Sequence, residues 1–141
     1  MTAPPLHVTS AALWTPAGWR GVLIAGAPGA GKSDLALRLI GRGWRLVADD
    51  YAHVFASGGA LYACAPVTIA GRIEVRGVGI LGARALGLAR LALFVELTDG
   101  PVERLPEAET RRIEGVALPL VRLNGFEPSA VEKVTGLTGR L

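Results

Sequence analysis

The eight residues Gly26-Ala27-Pro28-Gly29-Ala30-Gly31-Lys32-Ser33 restrict this chain more than any other stretch, because they fit G-x-x-x-x-G-K-[ST] at every fixed position. Such a turn lets backbone N–H groups curl into a nest around a phosphate, and it requires a strand before it and a helix after it. Both are signalled here. Gly21-Val22-Leu23-Ile24-Ala25 is a short apolar run of the kind buried on both faces of a parallel sheet. From Lys32 the apolar residues Leu35, Ala36, Leu39 and Ile40 recur at helical spacing, and Gly41 and Gly43 supply the stop. The turn therefore reads as a phosphate site in which Gly26 to Ser33 hold a nucleotide, Lys32 reaches the β and γ oxygens and Ser33 would ligate Mg²⁺. A glycine-rich helix cap would account for the glycines but not for Lys-Ser directly after Gly31.

Trp44-Arg45-Leu46-Val47-Ala48 is a second strand candidate, and it ends in Asp49-Asp50. Gly21 to Asp50 thus has the length of a βαβ unit, with a right-handed crossover expected. In a parallel sheet both strand ends open on the side of the phosphate loop, which brings the two carboxylates to the phosphates. One acid can then serve Mg²⁺ and the other a nucleophile. Capping of a loop is the alternative for either acid alone.

The remaining pattern is of strands and turns. Leu6 to Leu13 is a strand candidate followed by a turn at Thr15 to Gly18; Val54-Phe55 and Ala60 to Cys64 flank Ser57-Gly58-Gly59 as a hairpin. Ile69 to Val75, Leu91 to Leu97 and Val116 to Leu123 are further strands, and Ser129-Ala130-Val131-Glu132 has capping-box spacing for a C-terminal helix. Arg76 to Gly82 holds too many glycines for a helix interior and reads as a shaped loop. His53 and the tryptophans Trp14, Trp19 and Trp44 read as packing residues. With no repeat and no linker, residues 1–141 are expected to form one α/β domain.

Composition narrows the function. Residues 1–70 carry five Lys or Arg and three Asp or Glu, and residues 71–141 carry ten and nine, so neither half has the basic block of a nucleic-acid binder. The net charge of +3 mildly favours anionic partners. A single cysteine, Cys64, cannot form an internal disulfide, and no apolar run reaches the roughly 18 residues of a membrane span. The N-terminus lacks the basic and apolar regions of a secretion signal. A soluble, cytoplasmic protein is expected, with no nucleic acid or membrane as partner.

With the phosphate loop, Leu46-Val47-Ala48-Asp49-Asp50 and Ile73-Glu74-Val75-Arg76-Gly77-Val78-Gly79-Ile80-Leu81 in that order, the chain resembles the catalytic, C-terminal domain of the HPr kinase/phosphorylase family over roughly residues 7 to 124. The third block carries the specificity, since a phosphate loop alone marks only a vast superfamily. The resemblance implies a P-loop-containing α/β kinase domain with a central β-sheet, using ATP and Mg²⁺. The family phosphorylates a seryl residue of HPr, a small phosphocarrier protein, and many members also catalyse phosphorolysis of the phosphoserine. It also implies a short form, without the family's N-terminal domain, and a homo-oligomer, because the family forms ring-like hexamers.

Position by position, the resemblance makes Lys32 the phosphate-loop lysine, Ser33 a magnesium ligand and Glu74 an acidic metal ligand. Asp50 matches the proton acceptor for the serine hydroxyl, with Asp49 beside it as a metal or water partner. Arg104, in Val102-Glu103-Arg104-Leu105, matches a catalytic arginine whose guanidinium would neutralise charge on the transferring phosphoryl group. His7, 19 residues before Gly26, matches an active-site histidine. Arg76 is a candidate brace for the signature block or an ion-pair partner for Glu74. Leu118 to Asn124 lies where the family has a P-V-x-x-G-R type segment tied to phosphorolysis, and the Gly-Arg pair is absent. The kinase direction is therefore expected over the phosphorylase direction. Two other readings stand beside it: a nucleotide-binding regulatory protein without phosphotransfer, and a P-loop small-molecule kinase, which would need a basic lid that the sequence lacks.

Overall fold

The computed structural model describes residues 4–140. In chain order the elements are β1 (Thr9–Thr15), β2 (Gly18–Ala25), α1 (Lys32–Ile40), β3 (Arg45–Ala48), β4 (His53–Ser57), β5 (Ala60–Cys64), a 3₁₀ turn (Val67–Ile69), β6 (Arg72–Val75), β7 (Gly79–Gly82), β8 (Ala89–Thr98), β9 (Glu109–Ile113), β10 (Val116–Asn124) and α2 (Ala130–Arg140). The main sheet runs β3-β1-β2-β8-β10-β9, and the β4–β5 hairpin joins it through β8. β6 and β7 form a separate hairpin.

The strands are apolar on both sides because the sheet is covered on both sides. Val22 and Ile24 of β2, Leu93 and Val95 of β8 and Ala11 of β1 pack in one cluster with Leu35, Ala36 and Leu39 of α1 and Val134 of α2. The residues between them, Leu23, Phe94 and Ala12, point to the other face and meet Val47, Leu61 and Leu118. This is the two-residue alternation of a strand with no solvent face. Each buried Leu, Ile or Val side chain contributes about 1.5–3 kcal/mol relative to exposure. Trp44 belongs to the first cluster, whereas Trp14 lies exposed with its ring edge-on to Trp19, against the packing role expected for it.

β2 and β3 are parallel, as the βαβ reading requires, but they are not neighbours: β1 lies between them and is antiparallel to both. The tight turn at Thr15 to Gly18 places β1 beside β2, and β3 then pairs with the other edge of β1 rather than with β2. The Thr15 hydroxyl donates to the Gly18 carbonyl at 2.7 Å and accepts the Ala17 N–H, which holds the turn. The strand expected over Leu6 to Leu13 begins later, at Thr9, with Leu6 bridging to Ala52.

One expectation is corrected, and one strand carried no signal. Gly79 to Gly82 is a strand paired with β6 in register Glu74 to Ile80, so the glycine-rich block is a hairpin whose turn is Arg76-Gly77-Val78. Glycine weakens a strand without forbidding it, and pairing supplies what propensity lacks. β9 was not legible as a strand because Glu109-Thr110-Arg111-Arg112-Ile113 has no apolar alternation. It is an exposed edge strand held on β10 by backbone pairing and by Arg122, which bonds Glu109 and Glu96. The hydrogen bond that Arg122 donates to Glu109 is the chief cause raising its pKa above the ordinary range.

Candidate functional site

β2 brings Gly26 to the carboxyl end of the sheet, and the chain turns through Gly29 and Gly31 at φ of +83° and +96°. Left-handed backbone at Gly31 explains why the motif fixes glycine there, and at Gly29 it favours glycine at a position the motif leaves open. Gly31 is also the N-cap of α1, so Lys32 is the first helical residue. Lys32 is only 8% exposed. Its Nζ donates to the Gly26 carbonyl at 2.9 Å and to Ala27 at 3.4 Å, which supplies the partners a buried ammonium requires and holds its charge over the loop.

The two aspartates that follow β3 are held in opposite ways. Asp49 is 6% exposed and accepts three hydrogen bonds: from the Ser33 hydroxyl at 2.6 Å, from the Thr9 hydroxyl at 3.2 Å and from the Glu74 backbone N–H at 2.9 Å. Asp50 is exposed, sits at φ +68° and turns its carboxylate outward to His7, whose Nε2 lies 2.7 Å from Oδ1. His7 in turn stacks on Tyr51, with ring centroids 5.0 Å apart.

Aspartate is one of the few side chains that tolerate left-handed backbone, and at Asp50 the Tyr51 N–H closes the turn by donating to the Asp49 carbonyl at 2.8 Å. The Thr9 hydroxyl accepts the Asp50 N–H at 3.1 Å while donating to Asp49. One fully buried threonine thus binds both acids and separates them, one inward and one outward. Thr9 and Tyr51 carried no signal in the sequence. Thr9 reaches the site because β1 lies beside β3, a neighbour relation that the βαβ pattern hides.

The remaining candidates are less tightly joined. Glu74 reaches the site through its backbone N–H, and its carboxylate makes no hydrogen bond among the described residues. Arg104 lies exposed in the segment between β8 and β9, free of hydrogen bonds and ion pairs among the described residues. Neither the brace nor the ion pair expected of Arg76 is present among the described residues. His53 is half-buried on β4, paired with Cys64.

No group of three or more His, Cys, Asp or Glu side chains among the described residues could hold a metal ion by itself. The Ser33 hydroxyl and the Asp49 carboxylate do form a contiguous oxygen pair at the phosphate loop. Such a pair fits Mg²⁺, a hard cation that takes one or two carboxylates and completes its shell with water and phosphate oxygens.

Sheet, phosphate loop and acidic strand end together define a phosphate-loop α/β domain with the Asp49-Asp50 pair at the end of β3 tied to its loop through Ser33. The chain belongs to the HPr serine kinase family: a family model described as the HPr Serine kinase C-terminal domain matches residues 18–124. An HPr kinase/phosphorylase of Streptococcus pneumoniae is 40% identical over 116 residues, covering 73% of this chain and 37% of the relative. One from Clostridium kluyveri is 52% identical over 66 residues, covering 47% of this chain and 21% of the relative. The chain therefore spans about a fifth to two fifths of the length of the curated relatives it matches. The solved structure of the Hpr(Ser) kinase/phosphatase from Coxiella burnetii superposes with a TM-score of 0.79 at 25% identity, covering 96% of this chain and 93% of that one. These matches bear out the resemblance and the P-loop α/β fold with a central sheet.

Proposed function

We propose that the chain is an ATP-dependent protein serine kinase whose acceptor is a seryl residue of an HPr-like phosphocarrier protein. The observation that carries this reading is the outward carboxylate of Asp50, hydrogen-bonded to His7 and joined through Thr9 and Asp49 to the phosphate-loop serine. A base exposed beside a phosphate nest suits an acceptor that arrives from outside, as a protein side chain does.

The reaction is an in-line transfer. Loop amides and Lys32 orient the triphosphate. Ser33, Asp49 and Glu74 are the residues that would hold Mg²⁺, which when bound spreads the charge of the phosphate oxygens. Asp50 takes the proton from the acceptor hydroxyl as the serine oxygen forms its bond to the γ-phosphorus and the bond to the β–γ bridging oxygen breaks. ADP leaves with that electron pair. His7 fixes the orientation of the Asp50 carboxylate, and Arg104 is assigned to the charge of the moving phosphoryl group. The kinase direction is favoured because phosphate, metal and base positions are all present while the Gly-Arg pair tied to phosphorolysis is not.

The test is incubation with Mg²⁺ and labelled ATP, with and without the same organism's HPr-like protein, with the label located by mass spectrometry. Label on one serine, lost with Lys32→Ala, is the expected result. Tight ATP binding without transfer would favour a regulatory nucleotide-binding protein, and label on a metabolite would favour a small-molecule kinase.

A further inference from the structure

We propose that Phe126 is the base platform of the nucleotide site, an exposed aromatic ring fixed at the rim of the phosphate loop on which the purine of the donor stacks. The inference rests on reading Gly26 to Ser33 as the donor's phosphate site. β2, β8 and β10 are mutually parallel, so Gly26, Thr98 and Asn124 reach one edge of the sheet together. Ligands of open α/β sheets lie in the crevice outside these carboxyl ends. Phe126 follows Asn124 by two residues, at that edge.

The ring stands against the loop itself. A Cβ placed on Gly31 would fall 2.9 Å from the Phe126 Cζ, yet the residue is 60% exposed. It is therefore in contact with the phosphate loop without being part of the core. A large aromatic left in water is ordinary on a loose loop, but this one is held from three directions. The Asn124 carboxamide oxygen accepts the Phe126 N–H at 3.0 Å. The Arg38 guanidinium donates to the Gly125 carbonyl, and Arg38 is itself paired with Asp34 at 3.1 Å. Gly125 packs so closely that a Cβ there would lie 2.9 Å from the Ala30 carbonyl oxygen and 2.9 Å from the Leu97 side chain.

Helix α1 thus clamps the turn that carries the ring. A ring fixed before the ligand arrives loses little entropy on binding, which is the physical advantage of preorganisation. Stacking of a base on an aromatic ring is worth about 1–3 kcal/mol, which corresponds to roughly 5- to 150-fold in affinity. The phosphate nest has no means of recognising a base, so an adjacent aromatic surface supplies what the loop lacks.

Titration calorimetry on the whole chain with Mg²⁺-ATP and with Mg²⁺-tripolyphosphate, which has no base, separates the terms. Phe126→Leu and Phe126→Ala are expected to raise the Kd for ATP about tenfold and to leave the Kd for tripolyphosphate unchanged. Phe126→Trp is expected to show emission quenched by ATP and not by tripolyphosphate. Equal weakening of both ligands would overturn the inference by making the ring a prop for the loop. Unchanged ATP binding in both truncations would overturn it by putting the base elsewhere. Failure of the unmodified chain to bind either ligand would instead remove the phosphate-site reading on which the inference stands.

Discussion

The hydroxyl of Ser33 donates to the carboxylate of Asp49 across 2.6 Å, although 16 residues separate them. That bond ties the first turn of α1 to the end of β3. Because Thr9 and the Glu74 N–H bind the same carboxylate, Asp49 is committed to the protein and Asp50 is not. The two neighbouring acids therefore should not respond alike to substitution.

Asp50→Asn is expected to abolish transfer while leaving ATP affinity and thermal stability essentially unchanged, because its carboxylate faces solvent and His7. Asp49→Ala is expected to lower stability by about 1–3 kcal/mol, since it strips the partner from three donors. Denaturant unfolding beside a transfer assay checks both. Full activity in Asp50→Asn would sink the base assignment.

Thr9→Val keeps the volume of a fully buried side chain and removes the one group bonded to both acids. We expect about 1–2 kcal/mol of lost stability and a fall in kcat of at least about tenfold, with KM for ATP little changed. Thr9→Ser should restore most of both. If kcat stays at the unmodified value in Thr9→Val, the separation of the two acids does not depend on this hydroxyl.

Gly31→Ala meets two obstacles, a φ of +96° and the Phe126 ring. The left-handed conformation alone costs about 1–2 kcal/mol, so a lower melting temperature is expected together with loss of ATP binding. Gly43→Ala, at φ +95° with open space around it, carries the backbone cost without the contact. It should destabilise the chain and still bind ATP, which calorimetry and thermal melts would show.

Tyr51→Phe is expected to retain activity, because the ring that stacks on His7 remains. Tyr51→Ala removes the stack and should lower kcat by several-fold, with stability changed by no more than about 1 kcal/mol because both rings are exposed. Equal rates in the two variants would show that His7 is held by Asp50 alone.

How much of this was legible in the chain depends on distance along it. The phosphate loop, the strand before it, the helix after it and the acidic pair at the end of β3 lie within Gly21 to Asp50, and local rules of glycine conformation and apolar period were enough to find them. The signature block pointed to the family, and the matches bore that out. Only the tertiary structure decided that β1 lies between β2 and β3, that Thr9 binds both aspartates across 40 and 41 residues, that His7 meets Asp50 across 43, and that Phe126 comes back to Gly31. Those contacts follow from strand order, and strand order is set by the packing of the whole sheet. A residue's neighbours along the chain determine its conformation, whereas its partners across a sheet depend on which strands lie side by side, and no local pattern records that.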